Sequence, residues 1–331
     1  SFAYSTMLFL WVFSLFVVPS LANECGISNP IEEQTDDIAP LGKWPWQVYV
    51  RTPDSICGGT IIASRWILTA AHCFEDHLEG KIPSIRAGVV DIDEESGDND
   101  VYYVENVYVH SEYDAKTVVN DIALLELNRT IKYSQTISPI CLANGDQDVN
   151  VDQEAWIIGF GSYMSDSLFS SILSLSPDEN NELVTETSNV LRESSIPLSR
   201  HSKCKSAWKG TDMDQIICAG SKGLGAGEGD SGGPLMLQSV EGPWYQAGIV
   251  SFGVEDKEIV TDHNVGAYTS VGHYCDWIEE MTRGAAKCAE KEVEMKLLPE
   301  NQREESDENQ REKSDENQRE ESDEIDDEDE E

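Results

Sequence analysis

Short β-forming runs, broken at regular intervals by turn residues, leave this chain few folds to choose from. Val48-Tyr49-Val50, Thr60-Ile61-Ile62, Trp66-Ile67-Leu68-Thr69, Val101-Tyr102-Tyr103-Val104 and the run from Ile122 to Leu127 are β-branched, aromatic or apolar, with Gly, Asp and Pro between them. The pattern resumes at Ala155–Phe160, Leu235–Leu237, Gly248–Phe252 and Gly266–Val271. Helical periodicity is confined to the neighbourhood of Tyr274–Met281. Many short strands with turn signals indicate an all-β barrel or sandwich. With 331 residues, 39% of them hydrophobic, there is enough apolar material for a sizeable core.

Leu8 to Val18 is apolar apart from Ser14, too short to span a bilayer as a helix, and is followed by the small residues Ser20-Leu21-Ala22. This reads as a secretory signal peptide over 1–22, although Ser1 to Thr6 lacks the usual Lys or Arg. An uncleaved anchor or a buried strand is the alternative. Eight cysteines follow it, an even number, which in a secreted chain indicates disulfides. None has the spacing of a zinc site, and no cofactor or metal is expected. The net charge of −40 argues against nucleic acid or an anionic membrane surface as partner. Residues 301–331 repeat NQREESDE, NQREKSDE and NQREESDE and end in an acidic run, with four Lys/Arg against seventeen Asp/Glu. One apolar residue in such a stretch cannot bury a core, so 289–331 reads as a disordered acidic tail.

Chemistry concentrates in Gly229-Asp230-Ser231-Gly232-Gly233-Pro234. Dense glycine lets backbone N–H groups crowd around one serine hydroxyl, as a nucleophile beside an oxyanion site requires. Taken alone, the hexapeptide reads equally well as a turn. A serine needs a base, and Thr69-Ala70-Ala71-His72-Cys73 offers His72 among small residues that let the backbone pack closely. A base in turn needs an orienting acid, and Asp121 stands at the mouth of the apolar run Ile122–Leu127. A carboxylate partly buried there must be paired, and His72 is its natural partner.

These three segments, in the order His, Asp, Ser, resemble the chymotrypsin/trypsin family of serine endopeptidases. Gly42-Lys43-Trp44-Pro45-Trp46-Gln47, Cys57-Gly58-Gly59, Gly159-Phe160-Gly161, Ile217-Cys218-Ala219-Gly220 and Gly266-Ala267-Tyr268-Thr269 extend the similarity from about Gly42 to Glu280. The resemblance implies two antiparallel six-stranded β-barrels with a cleft between them and a short C-terminal helix. It implies a catalytic triad of His72, Asp121 and Ser231, with the N–H groups of Gly229 and Ser231 holding the oxyanion. It also implies a division into a short N-terminal or pro segment at 23–41 and a protease domain at 42–288. Protein or peptide substrates and protein inhibitors of serine proteases are the implied partners.

The same resemblance pairs Cys57 with Cys73, Cys204 with Cys218, and Cys25 with Cys141. Cys275 and Cys288 remain. A straight helix would hold them roughly 20 Å apart, beyond disulfide reach, but Gly284 could turn the chain back and let them join. Two family disulfides are missing: Gly227 and Ala155 stand where cysteines are usual, and their partners are absent too. Asn128-Arg129-Thr130 is a glycosylation sequon, with Asn128 as acceptor.

By matched position Gly225 lies at the floor of the specificity pocket, with Ser251, Gly253 and Gly266 along its walls. An open, uncharged pocket favours apolar or aromatic side chains. Glu255, Asp256 and Asp262, in the 254–264 segment, are solvated charges or else enter the pocket. Residues 161–190 read as a surface insertion. Activation is expected to differ from the family's route, because no Lys or Arg occurs from Asn23 to Gly42. Where the family has an Ile-Val-Gly-Gly start, this chain has Glu33-Gln34-Thr35-Asp36. Without the ammonium such a cut releases, Asp230 is expected to turn outward and leave the oxyanion site unformed, unless non-tryptic processing supplies a terminus or Asp230 finds a different partner. A catalytically weak homologue that acts by binding is therefore the rival to an active enzyme.

Overall fold

The computed structural model describes residues 25–31, 37–52, 55–75, 82–93, 101–144, 151, 153–163, 186–200, 202, 204–205, 215–221, 225–253, 265–290 and 293–297. The first barrel comprises β1 (Gln47–Arg51), β2 (Ile56–Ala63), β3 (Trp66–Thr69), β4 (Ser84–Ala87), β5 (Val101–Val109) and β6 (Ala123–Leu127). Its strands run antiparallel in the order β1-β2-β3-β6-β5-β4 and close through the pairing of β1 with β4. Closure removes the exposed edges that such short strands would otherwise present. β3 and β6 are buried along their whole length, which is why their sequences are nearly continuous apolar runs.

After β7 (Cys141–Leu142) the second barrel follows. Its strands are β8 (Glu154–Gly159), β11 (Arg192–Ser199), β12 (Ile216–Ala219), β13 (Pro234–Gln238), β14 (Trp244–Phe252) and β15 (Gly266–Ser270). They form the circuit β13-β8-β11-β12-β15-β14, closed by β13 against β14, and β7 adds to β14 in parallel. A two-stranded ribbon of β9 (Ser162–Tyr163) and β10 (Glu186–Thr187) stands apart from both. Helix α1 (Cys275–Met281) succeeds a 3-10 turn at Val271–Tyr274, where the helical period was read.

The Gly42–Gln47 motif joins the barrels. Trp44 packs edge-on against Trp46 at 5.8 Å and Trp244 at 4.7 Å between centroids, and lies 6.0 Å from Trp156. The buried Glu193 accepts from the Trp44 indole and the Lys43 ammonium, both at 2.5 Å. The Lys43 ammonium also lies 4.9 Å from the Trp156 ring centre. Removing either partner of this buried pair would strand a charge.

All eight cysteines are bonded in the four pairs Cys25–Cys141, Cys57–Cys73, Cys204–Cys218 and Cys275–Cys288. The last closes because α1 ends at Met281 and the chain reverses through Arg283 (φ +55°) and Gly284 (φ +77°). The reversal brings the two Cα atoms to 5.6 Å. Backbone contacts then continue past Cys288. Met295 bridges Ser239 and Leu297 bridges Gln153, laying 293–297 along the second barrel with Met295 buried. The alternation Val293, Met295, Leu297 is a strand pattern inside the segment read as tail. Among the described residues no helix is long and apolar enough to cross a membrane. The Asp and Glu residues of 254–264, and most of the 161–190 insertion, lie outside the described residues.

Candidate active site

β3 ends at Thr69, and the buried Ala70 and Ala71 carry the chain into a 3-10 turn that begins at His72. The alanines matter because the loop of Ser231 packs onto this stretch. A Cβ on Gly232, whose φ is +80°, would stand 2.2 Å from Thr69 Oγ1 and 2.6 Å from the Gly58 carbonyl oxygen. Only glycine fits that approach. The Ser231 carbonyl accepts the Gly58 N–H at 2.7 Å, and the Cys73 sulfur lies 3.8 Å from the same oxygen. Loop and base are thus fastened together through the Cys57–Cys73 region.

Asp121 is fully buried just before β6. Its Oδ1 accepts the His72 backbone N–H at 2.9 Å, and its Oδ2 accepts His72 Nδ1–H at 2.8 Å. The Ser251 hydroxyl also donates to Oδ2, and the Thr269 hydroxyl donates to the Asp121 carbonyl at 3.0 Å. Each of these satisfies a lone pair that burial would otherwise leave unpaired. Ser251 was placed on sequence with the substrate pocket; its hydroxyl is turned to Asp121. The contributions of Ser251 and Thr269 to the acid had no local signal, since both come from distant strands of the second barrel.

The His72 side chain is 26% exposed. Burial pulls its pKa down, but the hydrogen bond and charge of Asp121, with the charge of Glu75, outweigh that and hold it above the ordinary histidine value. With Nδ1 committed to Asp121, Nε2 is the nitrogen left for proton transfer. No hydrogen bond joins the Ser231 hydroxyl to His72 among the described residues. Contacts of this kind commonly tighten only when substrate is present. The N–H groups of Gly229 and Ser231 donate to no described residue, so both are available to an incoming oxyanion.

Asp230 departs from the expectation that it turns outward. Its Oδ1 accepts the Gly161 N–H at 2.7 Å and its Oδ2 accepts the Gly227 N–H at 2.8 Å. The carboxyl faces inward onto these two backbone donors. Burial raises its pKa to about 6, against the pull of those two bonds.

A Cβ on either Gly225 or Gly253 would meet nothing within 4 Å, so both border open space. One on Gly266 would meet the Tyr268 ring at 3.1 Å. Asn128 is exposed in the turn after β6. Cys57, His72 and Cys73 place potential metal ligands close together, but both sulfurs are held in the disulfide.

Two closed barrels, an Asp-His pair on one and a glycine-bound serine on the other, invite comparison with known families. Residues 36–278 match the trypsin family model. The chain belongs to the trypsin family. Bovine (Bos taurus) coagulation factor XI is 32% identical over 251 residues, which cover 73% of this chain and 36% of that protein. This trypsin-family chain therefore spans little more than a third of that relative's length. Membership accounts for the position of the Ser231 loop against the first barrel.

Proposed function

We propose that the protein is a serine endopeptidase. One observation carries this reading: a buried carboxylate, Asp121, fixes His72 through Nδ1 while the Ser231 loop is tied down beside it, with two N–H groups that donate to no described residue. Ser231 Oγ attacks the peptide carbonyl as His72 Nε2 takes its proton. Gly229 and Ser231 N–H groups stabilise the oxyanion, and Asp121 stabilises the imidazolium. The imidazolium then gives its proton to the leaving amine, which departs as the acyl-enzyme forms. Water, deprotonated by the same imidazole, attacks the acyl-enzyme, and as the intermediate collapses to the acid the imidazolium returns its proton to the departing Ser231 Oγ.

The open space at Gly225 and Gly253 favours a large apolar or aromatic side chain before the cleaved bond. Four disulfides fit an oxidising compartment, and with the 1–22 leader they support secretion. Residues 23–41 form the N-terminal segment and the protease domain starts at 42. It ends at 288 on the sequence reading, with the acidic tail beyond. Protein substrates and protein inhibitors of serine proteases are the partners, and Asn128 is a glycan acceptor. The test is digestion of a peptide library by the secreted protein, with products mapped by mass spectrometry. Cleavage after Phe, Tyr, Leu or Met is expected. Cleavage mainly after Lys or Arg would overturn the apolar preference, and no cleavage in any sequence would overturn the endopeptidase reading.

A further inference from the structure

We infer that the N–H groups of Gly161 and Gly227 position Asp230 for catalysis, so that the uncut chain carries a formed oxyanion site and needs no newly released N-terminus. The inference rests on the endopeptidase reading and concerns how its site is assembled.

The niche that receives Asp230 is built from glycine. A Cβ on Gly159, the last residue of β8, would stand 1.9 Å from Asp230 Oδ1, and one on Gly161 would stand 2.4 Å from Cγ. Both distances are shorter than real Cβ contacts, so the niche exists only with glycine at both positions. Between them Phe160 packs edge-on against Tyr49, at 5.7 Å between centroids. That contact pins the segment whose next N–H reaches Oδ1. The other donor, Gly227, belongs to the same loop as Asp230, and the Asp230 N–H returns to the Gly227 carbonyl at 3.1 Å.

Turning the carboxylate inward sets the backbone that follows. The Asp230 carbonyl accepts the Gly233 N–H at 2.8 Å, and the Gly232 N–H goes to Val250 at the same distance. Gly229 sits at φ +96°. The outcome is a pair of N–H groups, on Gly229 and Ser231, that donate to no described residue. Two charge-assisted bonds from backbone N–H groups hold the carboxylate inward, offsetting part of the cost of burying it.

The N-terminal segment supports the same conclusion independently. Asp37 and Ala39 are bound through backbone to Glu193 and Leu191, and Ile38 bridges Arg192. On the other side, the Ile31 N–H donates to Leu41 at 2.8 Å and its side chain is 53% exposed. Only Glu32-Glu33-Gln34-Thr35-Asp36 lies between these anchors. A terminus made within it would bring a polar or acidic side chain to a buried acid. Glu33 would set a second carboxylate against Asp230, a repulsion that an apolar Ile or Val terminus avoids.

The test uses the secreted full-length protein, with intact mass showing no cleavage between Cys25 and Trp44. Its rate of reaction with a fluorophosphonate probe is measured before and after cyanate blocks the α-amino groups near neutral pH. The expected rate changes less than twofold on blocking and does not fall between pH 8 and 9.5, where an α-ammonium would deprotonate. Tyr268, whose phenol feels the Asp230 charge, is pushed well up, chiefly by burial, and does not ionise in that window. Gly161→Ala, which fills the niche, is expected to slow labelling about 100-fold, the scale of a lost oxyanion donor. Reaction only by a form cut between residues 31 and 38, or loss of reaction on blocking, would overturn this inference alone. Failure of cut and uncut forms alike would overturn the endopeptidase reading and this inference with it.

Discussion

Asp121 and Asp230 are both withdrawn from water, one leading into a strand of the first barrel and the other into a strand of the second, and they are held by different kinds of donor. Asp121 is bound by an imidazole, a hydroxyl and one backbone N–H. Asp230 is bound by two backbone N–H groups, in a niche that admits no side chain. A carboxylate on a titratable partner tunes that partner, so its effect appears in proton transfer. A carboxylate held by backbone alone fixes a shape, and its effect appears in where neighbouring N–H groups point. The same residue type thus serves as an electrostatic element in one barrel and as a structural pin in the other.

The sharpest way to break this contrast is Asp121→Asn. An amide can offer N–H where Nδ1–H must be accepted, favouring the wrong imidazole tautomer. The expected fall in kcat/KM at pH 7 is on the order of 10^4-fold, the size characteristic of this family's triad acid. A loss under tenfold would remove the distinction between the two acids. Gly161→Ala should cost about 100-fold above pH 8, where Asp230 stays ionised. A loss under about threefold there would remove the pin.

Smaller effects refine the first half of the contrast. His72 must be neutral to accept a proton, and its pKa is raised by Asp121. Activity should therefore rise with pH through a midpoint above the ordinary histidine value of about 6.5. Ser251→Ala removes a donor from Asp121 and leaves its charge less compensated. It should lower kcat/KM roughly tenfold and move that midpoint to higher pH, measured on a peptide substrate. Least in size is a change in the loop before Asp121, where Val118 is held at φ +53°, a conformation β-branched residues disfavour. Val118→Asn should stabilise the protein by about 0.5–1 kcal/mol, seen as a higher urea midpoint with activity retained.

Much of this architecture is legible in the sequence because the signals are local. Short β-branched and apolar runs between turn residues mark the strands of both barrels, and glycine beside Ser231 marks a backbone crowded against another element. The order of His72, Asp121 and Ser231 then brings the family into view. What escaped reading depends on contacts between distant segments. The sequence did not name the partner of Asp230, because its donors, Gly161 and Gly227, are backbone groups that leave no side-chain signature. The inward hydroxyl of Ser251 likewise depends on β14 meeting the start of β6. Residues 293–297 were read as tail because charged residues surround them, although Val293, Met295 and Leu297 alternate with charged residues and Met295 is buried.

The central claim, that Ser231 is a nucleophile activated by His72, is tested most directly by mapping a fluorophosphonate adduct. The secreted protein is treated with the probe, digested and analysed by mass spectrometry, beside Ser231→Ala and His72→Ala. The expected result is a single adduct on Ser231, absent from Ser231→Ala and slowed by several orders of magnitude in His72→Ala. An unmodified Ser231 in the folded protein, or labelling that His72→Ala leaves unchanged, would contradict it.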